Sequence, residues 1–165
     1  MRLLSLLPLL LTAPATAQEL VYSDDATLAC LASAEGTAAK SDCAGASAIA
    51  CIESTPGGTS TFLGVECLDS EFDLWDQRLN DVYGKALAKA KKIDADSLTD
   101  GYGQSFMEET LVELQKAWST YSAARCTFEE AQYRGGTGGS PAQLRCNMRT
   151  MAEQAAYLEE NWIAP

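Results

Sequence analysis

The segment LDSEFDLWDQRLNDVYGKALAKAKK, residues 68–92, decides the fold class of this chain. Its apolar side chains recur at steps of three and four residues, which places them on one stripe of a helix. The stripe consists of Leu68, Phe72, Trp75, Leu79, Val82, Ala86 and Ala90. Acidic residues fill the first turn and lysines the last, as the helix macrodipole favours. The pattern predicts a long amphipathic helix, followed by a connection over residues 93–103, where Asp, Ser and Gly collect.

A second apolar stripe and a Gly-rich turn predict a helical hairpin after this segment. The stripe consists of Met107, Leu111, Leu114, Trp118, Tyr121 and Phe128, with Arg125 on the same side. It predicts a helix over about residues 104–133, ending in the turn GGTGG at residues 135–139. Ser140 then reads as an N-cap, with Pro141 at the first helical position and Gln143 closing a capping box. The last stripe consists of Leu144, Met148, Met151, Ala155, Leu158 and Trp162.

The chain contains 6 cysteines and no histidine. Cys126 and Cys146 lie about seven and six residues from the hairpin turn, so each sits roughly 10 Å along its helix, and we expect them to pair. For the other four we expect the neighbouring pairs Cys30–Cys43 and Cys51–Cys67, because each closes a short loop that can hold a small helix. Swapped pairings among these four stay open.

Residues 1–17 have the features of a secretory signal peptide. Arg2 precedes an apolar run, and Ala15-Thr16-Ala17 resembles a cleavage site. No cysteine follows that site for lipid attachment, and no later run approaches the roughly 20 apolar residues of a membrane helix. We therefore expect a periplasmic or secreted protein that is not a lipoprotein and does not insert into a membrane.

The remaining residues suit one compact unit. Residues 18–66 read as a cysteine-containing helical extension, with short helices near residues 25–33 and 43–53 and a turn at residues 55–59. Residues 67–165 read as the main helical domain. The predicted fold class is all-α, a small disulfide-stapled helical bundle built on an αα-hairpin.

The composition argues against most kinds of catalysis. Without histidine the chain lacks the commonest general base and zinc ligand, and the cysteines lack paired metal spacing, so we expect no metal and no cofactor. Carboxylates such as Asp69, Glu71 and Asp73 could serve a glycosidase, but neighbouring acids on a helix favour solvated faces. The aromatic residues could form a ligand cage or an interface, although their helical spacing favours the core. The net charge of −11 repels nucleic acid and favours a basic protein partner.

A set of spaced residues resembles the lysozyme inhibitor LprI-like domain family. The matching positions are Cys67, Glu71, Trp75, Asp76, Leu79, Asn80, Tyr83, Leu114, Gln115, Trp118, Arg125, Cys126, Gly138, Gly139, Ser140, Cys146, Thr150 and Leu158. The resemblance covers about residues 51–158. Gln154 stands where the family often has Arg, the segment from Cys30 to Cys51 is an extension, and the namesake's lipoprotein cysteine is absent.

The resemblance implies a disulfide-tied helical envelope protein, not an enzyme, that inhibits lysozyme. Common animal lysozymes are basic with an acidic catalytic cleft, so an acidic binder would be steered toward them. We expect the loop at residues 134–140 to enter the cleft: Arg134 would meet the catalytic carboxylates, while Glu129 and Glu130 meet the basic rim and Ser140 ends the loop. The alternative for the loop is a plain connector. The alternatives for the protein are a periplasmic structural or interaction module that binds a basic envelope protein, and a glycan-cleaving enzyme.

Overall fold

In a computed structural model, which describes residues 19–101 and 103–163, every regular element is helical. The elements are α1 (Asp25–Ser33), α2 (Gly36–Ser41), α3 (Ala46–Ser54), α4 (Thr61–Thr99), α5 (Met107–Ala131), α6 (Gly139–Leu158) and a closing π-helical turn (Glu159–Ile163). The predicted all-α class is confirmed. The predicted signal peptide lies outside the described residues. None of the helices in the described ranges is both long enough and apolar enough to cross a membrane.

Helix α4 is 39 residues long and extends the predicted helix in both directions. It begins after Ser60, whose hydroxyl accepts a hydrogen bond from the Leu63 amide at 3.4 Å. It ends at Thr99, so the prediction of a connection starting at residue 93 is wrong for residues 93–99. The helix continues because residues 85–100 contain neither Gly nor Pro, and Lys92 pairs with Asp96 one turn later at 2.6 Å.

Helices α5 and α6 form the predicted hairpin, but α6 does not begin as expected. Its first residue is Gly139, its N-cap is Gly138, and no side chain caps it. Ser140 is therefore the second helical residue, and the predicted capping box is wrong. The backbone of the turn takes over the capping: the Gly139 amide donates to the Gly136 carbonyl at 3.0 Å, and the Ala142 amide to the Gly138 carbonyl at 3.1 Å.

The core consists of two clusters that α6 joins along the length of α4. The first contains Leu79, Val82, Ala86, Ala90, Leu111, Ala155 and Leu158. The second contains Cys43, Ala48, Leu68, Trp75, Met148 and Ala152. Trp75 and Leu158 are each 1% exposed, and burying side chains of this size stabilises the fold by roughly 1.5–3 kcal/mol each. Alanines on facing turns of α4 and α6 let these two helices approach closely.

Three disulfides connect neighbouring elements. They join Cys30 to Cys43, Cys51 to Cys67 and Cys126 to Cys146, with S–S distances of 1.94, 2.04 and 2.03 Å. The first two hold α1 and α3 to their neighbours, and the third crosses the α5–α6 hairpin. No cysteine in the described part of the chain is free.

The aromatic residues do not all lie in the core. Trp75 is buried, whereas Tyr121 and Phe128 are 64% and 70% exposed, so the expectation of a core position is wrong for these two. The face of α5 that points inward runs through Leu111, Gln115, Trp118, Ser122 and Cys126. Residues spaced by seven rotate slowly around a helix of 3.6 residues per turn. Tyr121 and Phe128, spaced by seven from Leu114, therefore lie outside the inward face.

Candidate functional site

The loop over residues 132–138, between α5 and α6, has a defined backbone conformation. The Tyr133 amide donates to the Glu130 carbonyl at 3.0 Å, the Arg134 amide to the Ala131 carbonyl at 3.1 Å, and the Gly136 amide to the Tyr133 carbonyl at 2.8 Å. Arg134 and Gly135 follow each other in the left-handed region, with φ of 51° and 80°. This region suits Gly, but a non-Gly residue held there costs on the order of 1–3 kcal/mol. Local backbone preference therefore does not explain why an arginine occupies position 134.

Side-chain packing fixes the loop further. A Cβ at Gly138 would overlap the ring of Tyr133, and one at Gly139 would lie 3.2 Å from the Cγ atom of Glu130. The two glycines therefore let the end of α5 and the start of α6 pack closely against each other. Below the loop, the disulfide between Cys126 and Cys146 crosses the hairpin. The loop is a preorganised projection on a stapled base.

The four predicted site residues fall into different surroundings. Arg134 is exposed, and its guanidinium has no carboxylate partner within the described residues. Glu130 and Ser140 line one side of the loop, in a hollow of about 300 Å³. Glu129 faces the hairpin instead, with its Oε1 atom 3.8 Å from Arg125 Nε. The structure therefore brings Glu130 and Ser140 together beside the loop, and places Arg134 at its tip.

Polar contacts between α5 and α6 hold the base of this region. Arg125 lies between Glu129 and Glu153, with Nη1 3.2 Å from the Glu153 carboxylate. Further along the hairpin, the buried Gln154 donates from Nε2 to Gln115 Oε1 at 3.0 Å. An amide pair fills this position without a buried charge. The Arg125 contacts orient Glu129 toward α6 and leave Glu130 nearer to the loop.

A larger groove lies on the other side of the loop. It has a volume of about 410 Å³ and is formed by the loop, the turn before α4 and the first turns of α6; Tyr133, Thr137, Arg145 and Thr61 are among its lining residues. Arg145 is exposed and adds a second cation near the loop. No group of three or more His, Cys, Asp or Glu side chains within residues 19–101 and 103–163 is arranged to hold a metal ion.

Glu71 of α4, one helical turn beyond Leu68 at the edge of this groove, is a buried carboxylate that sequence reasoning assigned wrongly to a solvated face. It is 0% exposed. Its Oε1 atom accepts hydrogen bonds from Thr27 Oγ1 at 2.8 Å, the Gly45 amide at 2.7 Å and Trp75 Nε1 at 3.0 Å. Its Oε2 atom accepts from the Ala48 amide at 2.7 Å. Four donors saturate the carboxylate, so its role is to hold elements together.

Three of the four donors to Glu71 come from the starts of two other helices, Thr27 from α1 and the Gly45 and Ala48 amides from α3. Thr27 in α1 and Ser47 in α3 also exchange two hydrogen bonds, each amide donating to the other hydroxyl at 3.0 Å. The free amides at a helix N-terminus favour a negative group; Glu71 supplies one to α3 and receives the Thr27 hydroxyl from α1. The signal was in the sequence: Glu71 lies three residues after Leu68 and four before Trp75, on the buried stripe itself.

A second carboxylate caps a helix at the opposite end of α4. Asp94 accepts hydrogen bonds from the amides of Met107 and Glu108, each at 2.9 Å. The bond from the Glu108 amide is the main cause that lowers the pKa of Asp94 below its usual 3.8. Because Asp94 belongs to α4 and the amides to α5, this contact fixes the start of α5 against the long helix.

Comparison with known proteins gives two matches. Residues 51–158 match the family described as "Lysozyme inhibitor LprI". The chain is also 30% identical over 138 residues to the Rhodobacter capsulatus protein named "Uncharacterized 17.7 kDa protein in puhA 5'region", and the match covers 81% of this chain and 82% of that protein. No solved structure matches the chain.

Proposed function

Because the chain belongs to the lysozyme inhibitor LprI family, we propose that it is an exported, non-enzymatic protein that binds and inhibits a lysozyme-type muramidase. The family match over residues 51–158 carries this proposal. Three disulfides support export, because such bonds persist in oxidising compartments such as the periplasm. The predicted signal peptide at residues 1–17 gives the same destination.

Charge supports a basic partner. The sequence holds 23 acidic and 12 basic residues, and a field of this sign accelerates association with a cationic protein and repels polyanions. Animal lysozymes of the common type are basic, with carboxylates in a cleft. An inhibitor of such an enzyme therefore needs an acidic body and a cationic group small enough to enter the cleft.

We propose that the loop at residues 134–140 is the part that enters, with Arg134 meeting the catalytic carboxylates. Its guanidinium is exposed and unpaired within the described residues, and a planar guanidinium can hold a carboxylate through two parallel hydrogen bonds. The fixed conformation of the loop reduces the entropy lost on binding. A left-handed non-Gly residue at the tip also fits a functional constraint, since strained residues concentrate at binding sites.

The acidic residues beside the loop would meet the basic rim of the cleft. Glu130 already borders the loop, together with Ser140, while Glu129 would have to share its carboxylate with Arg125. Of the two glutamates, we therefore assign the larger contribution to Glu130. We also propose that residues 18–66 and 67–165 act as one unit in this role, since the hydrogen bonds of Glu71 run between them.

The test is inhibition of several lysozyme types in a cell-wall turbidity assay with the oxidised protein and an Arg134→Asn variant. Asn tolerates the left-handed conformation, so the exchange removes the guanidinium without changing the loop. A central arginine contributes about 2 kcal/mol or more, so the inhibition constant should rise by roughly 30-fold or more. Arg134→Lys should recover part of the loss, because the charge remains without the bidentate geometry.

Arg149→Asn is the matched control, because Arg149 is an exposed arginine further along α6. It should leave inhibition within about twofold of the original protein. Inhibition should also weaken at 1 M salt, where the Debye length is about 3 Å. Failure of the protein to inhibit any lysozyme would favour an interaction module for another basic envelope protein, and release of glycan by the protein alone would make it an enzyme.

A further inference from the structure

The outer face of α5 carries a row of exposed apolar side chains spaced by seven residues. Leu114, Tyr121 and Phe128 are 41%, 64% and 70% exposed. Exposed alanines follow each of them by three residues, at Ala117, Ala124 and Ala131. A seven-residue repeat with alternate spacings of three and four is the pattern with which one helix packs along another. Within the chain, however, no described element covers these side chains.

This face differs from the rest of the surface in charge. The exposed positions from residue 114 to residue 128 hold Ala, Ser, Thr and the apolar residues, and their single charged side chain is Lys116. In a chain of net charge −11, a face without carboxylates is one on which two copies can meet without strong repulsion. A basic partner such as lysozyme would find its complement on the acidic surfaces instead.

We propose that this face of α5 binds a second copy of the chain, with the two α5 helices antiparallel. A two-fold axis between residues 122 and 123 places Tyr121 level with Ala124 of the other copy. The same axis places Leu114 level with the second copy's Ala131, and Phe128 level with its Ala117. Each large side chain then meets a small one, which is the complementarity that close helix packing requires. A parallel arrangement would set Leu against Leu, Tyr against Tyr and Phe against Phe.

The register also matches charges at both ends of the interface. Lys116 of one copy lies within one residue of the level of Glu130 of the second copy, and both side chains lie on the same flank of α5. Glu129 faces its own hairpin, where it contacts Arg125. Because the interface is two-fold symmetric, the pairing occurs twice. Opposite charges at the edge of an apolar seam fix partner orientation more than they add affinity.

The size of the face sets the strength of the dimer. Residues 114–131 span about 26 Å of helix with a width of about 10 Å, which corresponds to a flat footprint on the order of 260 Å² per copy. This is below the roughly 800 Å² per partner of stable complexes. We therefore expect a weak, reversible dimer whose fraction rises with protein concentration. In this dimer the two Arg134 loops would lie at opposite ends.

Sedimentation velocity of the oxidised protein from about 1 μM to 1 mM tests the proposal without any lysozyme, so its outcome is separate from that of the inhibition assay. Ala124→Glu adds a carboxylate beside the axis in both copies and should weaken dimerisation at least about tenfold, or about 1.4 kcal/mol. Tyr121→Gln should do the same by removing a large side chain. Ala88→Glu, at an exposed alanine of α4, should leave the dimer unchanged.

Orientation can be measured by electron–electron distances between nitroxide side chains at position 110. The antiparallel register separates the two labels by about 37 Å along the helix axis, whereas parallel helices would keep them within about 10 Å. A protein that stays monomeric up to 1 mM, or a dimer that neither Ala124→Glu nor Tyr121→Gln weakens, would overturn the proposal. So would a loss of lysozyme inhibition in both variants without any change in sedimentation, because it would assign the face to lysozyme.

Discussion

Replacing the buried carboxylate of Glu71 by an amide, in Glu71→Gln, changes almost no volume but reverses the hydrogen-bonding character of one atom. The Oε1 atom accepts three bonds, from Thr27, Gly45 and Trp75, and Oε2 accepts one, from the Ala48 amide. The least disruptive placement of glutamine keeps its oxygen at the Oε1 position. Its NH₂ group then points at the N–H of Ala48, donor against donor.

The magnitude follows from this geometry. The variant loses one charge-assisted hydrogen bond and leaves the Ala48 amide buried without an acceptor. An unsatisfied buried donor costs about 1–3 kcal/mol. The three remaining bonds weaken because their acceptor is no longer charged. We expect the free energy of unfolding to fall by about 2–4 kcal/mol, which for a domain of this size lowers the melting temperature by roughly 5–15 °C.

Urea denaturation followed by circular dichroism, with thermal melting as a second readout, measures this change. Glu66→Gln is the matched control, because Glu66 is an exposed glutamate of the same helix, and its replacement should stay within about 0.5 kcal/mol. If Glu71→Gln unfolds at the same urea concentration as Glu66→Gln, the carboxylate does not hold α1 and α3 to α4, and the account of this junction is wrong.

Three further predictions concern α4 and the turn that precedes it. The folded pKa of Asp94 is lowered, so the stability that its carboxylate contributes is present above its ordinary value of 3.8 and is lost as pH falls through the folded value. The melting temperature should therefore fall less between pH 5 and pH 2 in Asp94→Asn than in the original protein. Gly84→Ala should stabilise the protein by about 0.5–1 kcal/mol, because Gly84 lies inside the helix with open space around it. Gly58→Ala should destabilise it by about 1–3 kcal/mol, because the new methyl group would overlap the Ile52 carbonyl; equal melting temperatures for these two glycine variants would refute the steric argument.

The sequence predicted the elements whose signal is local and strong. The stripe from Leu68 to Ala90 repeats at the helical period for more than six turns, so α4 was predictable, as was the hairpin marked by the glycines at residues 135–139. The predicted helix near residues 25–33 corresponds to α1. The short helix α2 was not predicted, because the six residues GTAAKS hold no apolar stripe.

The remaining errors arise where a local pattern competes with tertiary packing. Tyr121 and Phe128 continue the apolar stripe of α5, yet which side of that stripe faces inward depends on where α6 packs. Glu71 belongs to the group of acids on α4 that resembles a solvated face, and only the arrival of Thr27, Gly45 and Ala48 from outside the helix makes its burial favourable. Arg134 was predicted as an exposed loop residue, but its left-handed backbone could not be read from a dipeptide Arg-Gly.

The junction at Glu71 has a consequence for expressing parts of this protein. The family match begins at residue 51, and a fragment cloned from there would look like a complete unit on sequence grounds. Such a fragment keeps the carboxylate and Trp75 but lacks the two backbone amides and the hydroxyl that accompany them, and it leaves Cys51 as the first residue after the new start. Recombinant designs should therefore begin before α1, since a truncated version would expose Glu71 and Trp75 to water and lose three of the four donors that hold the carboxylate.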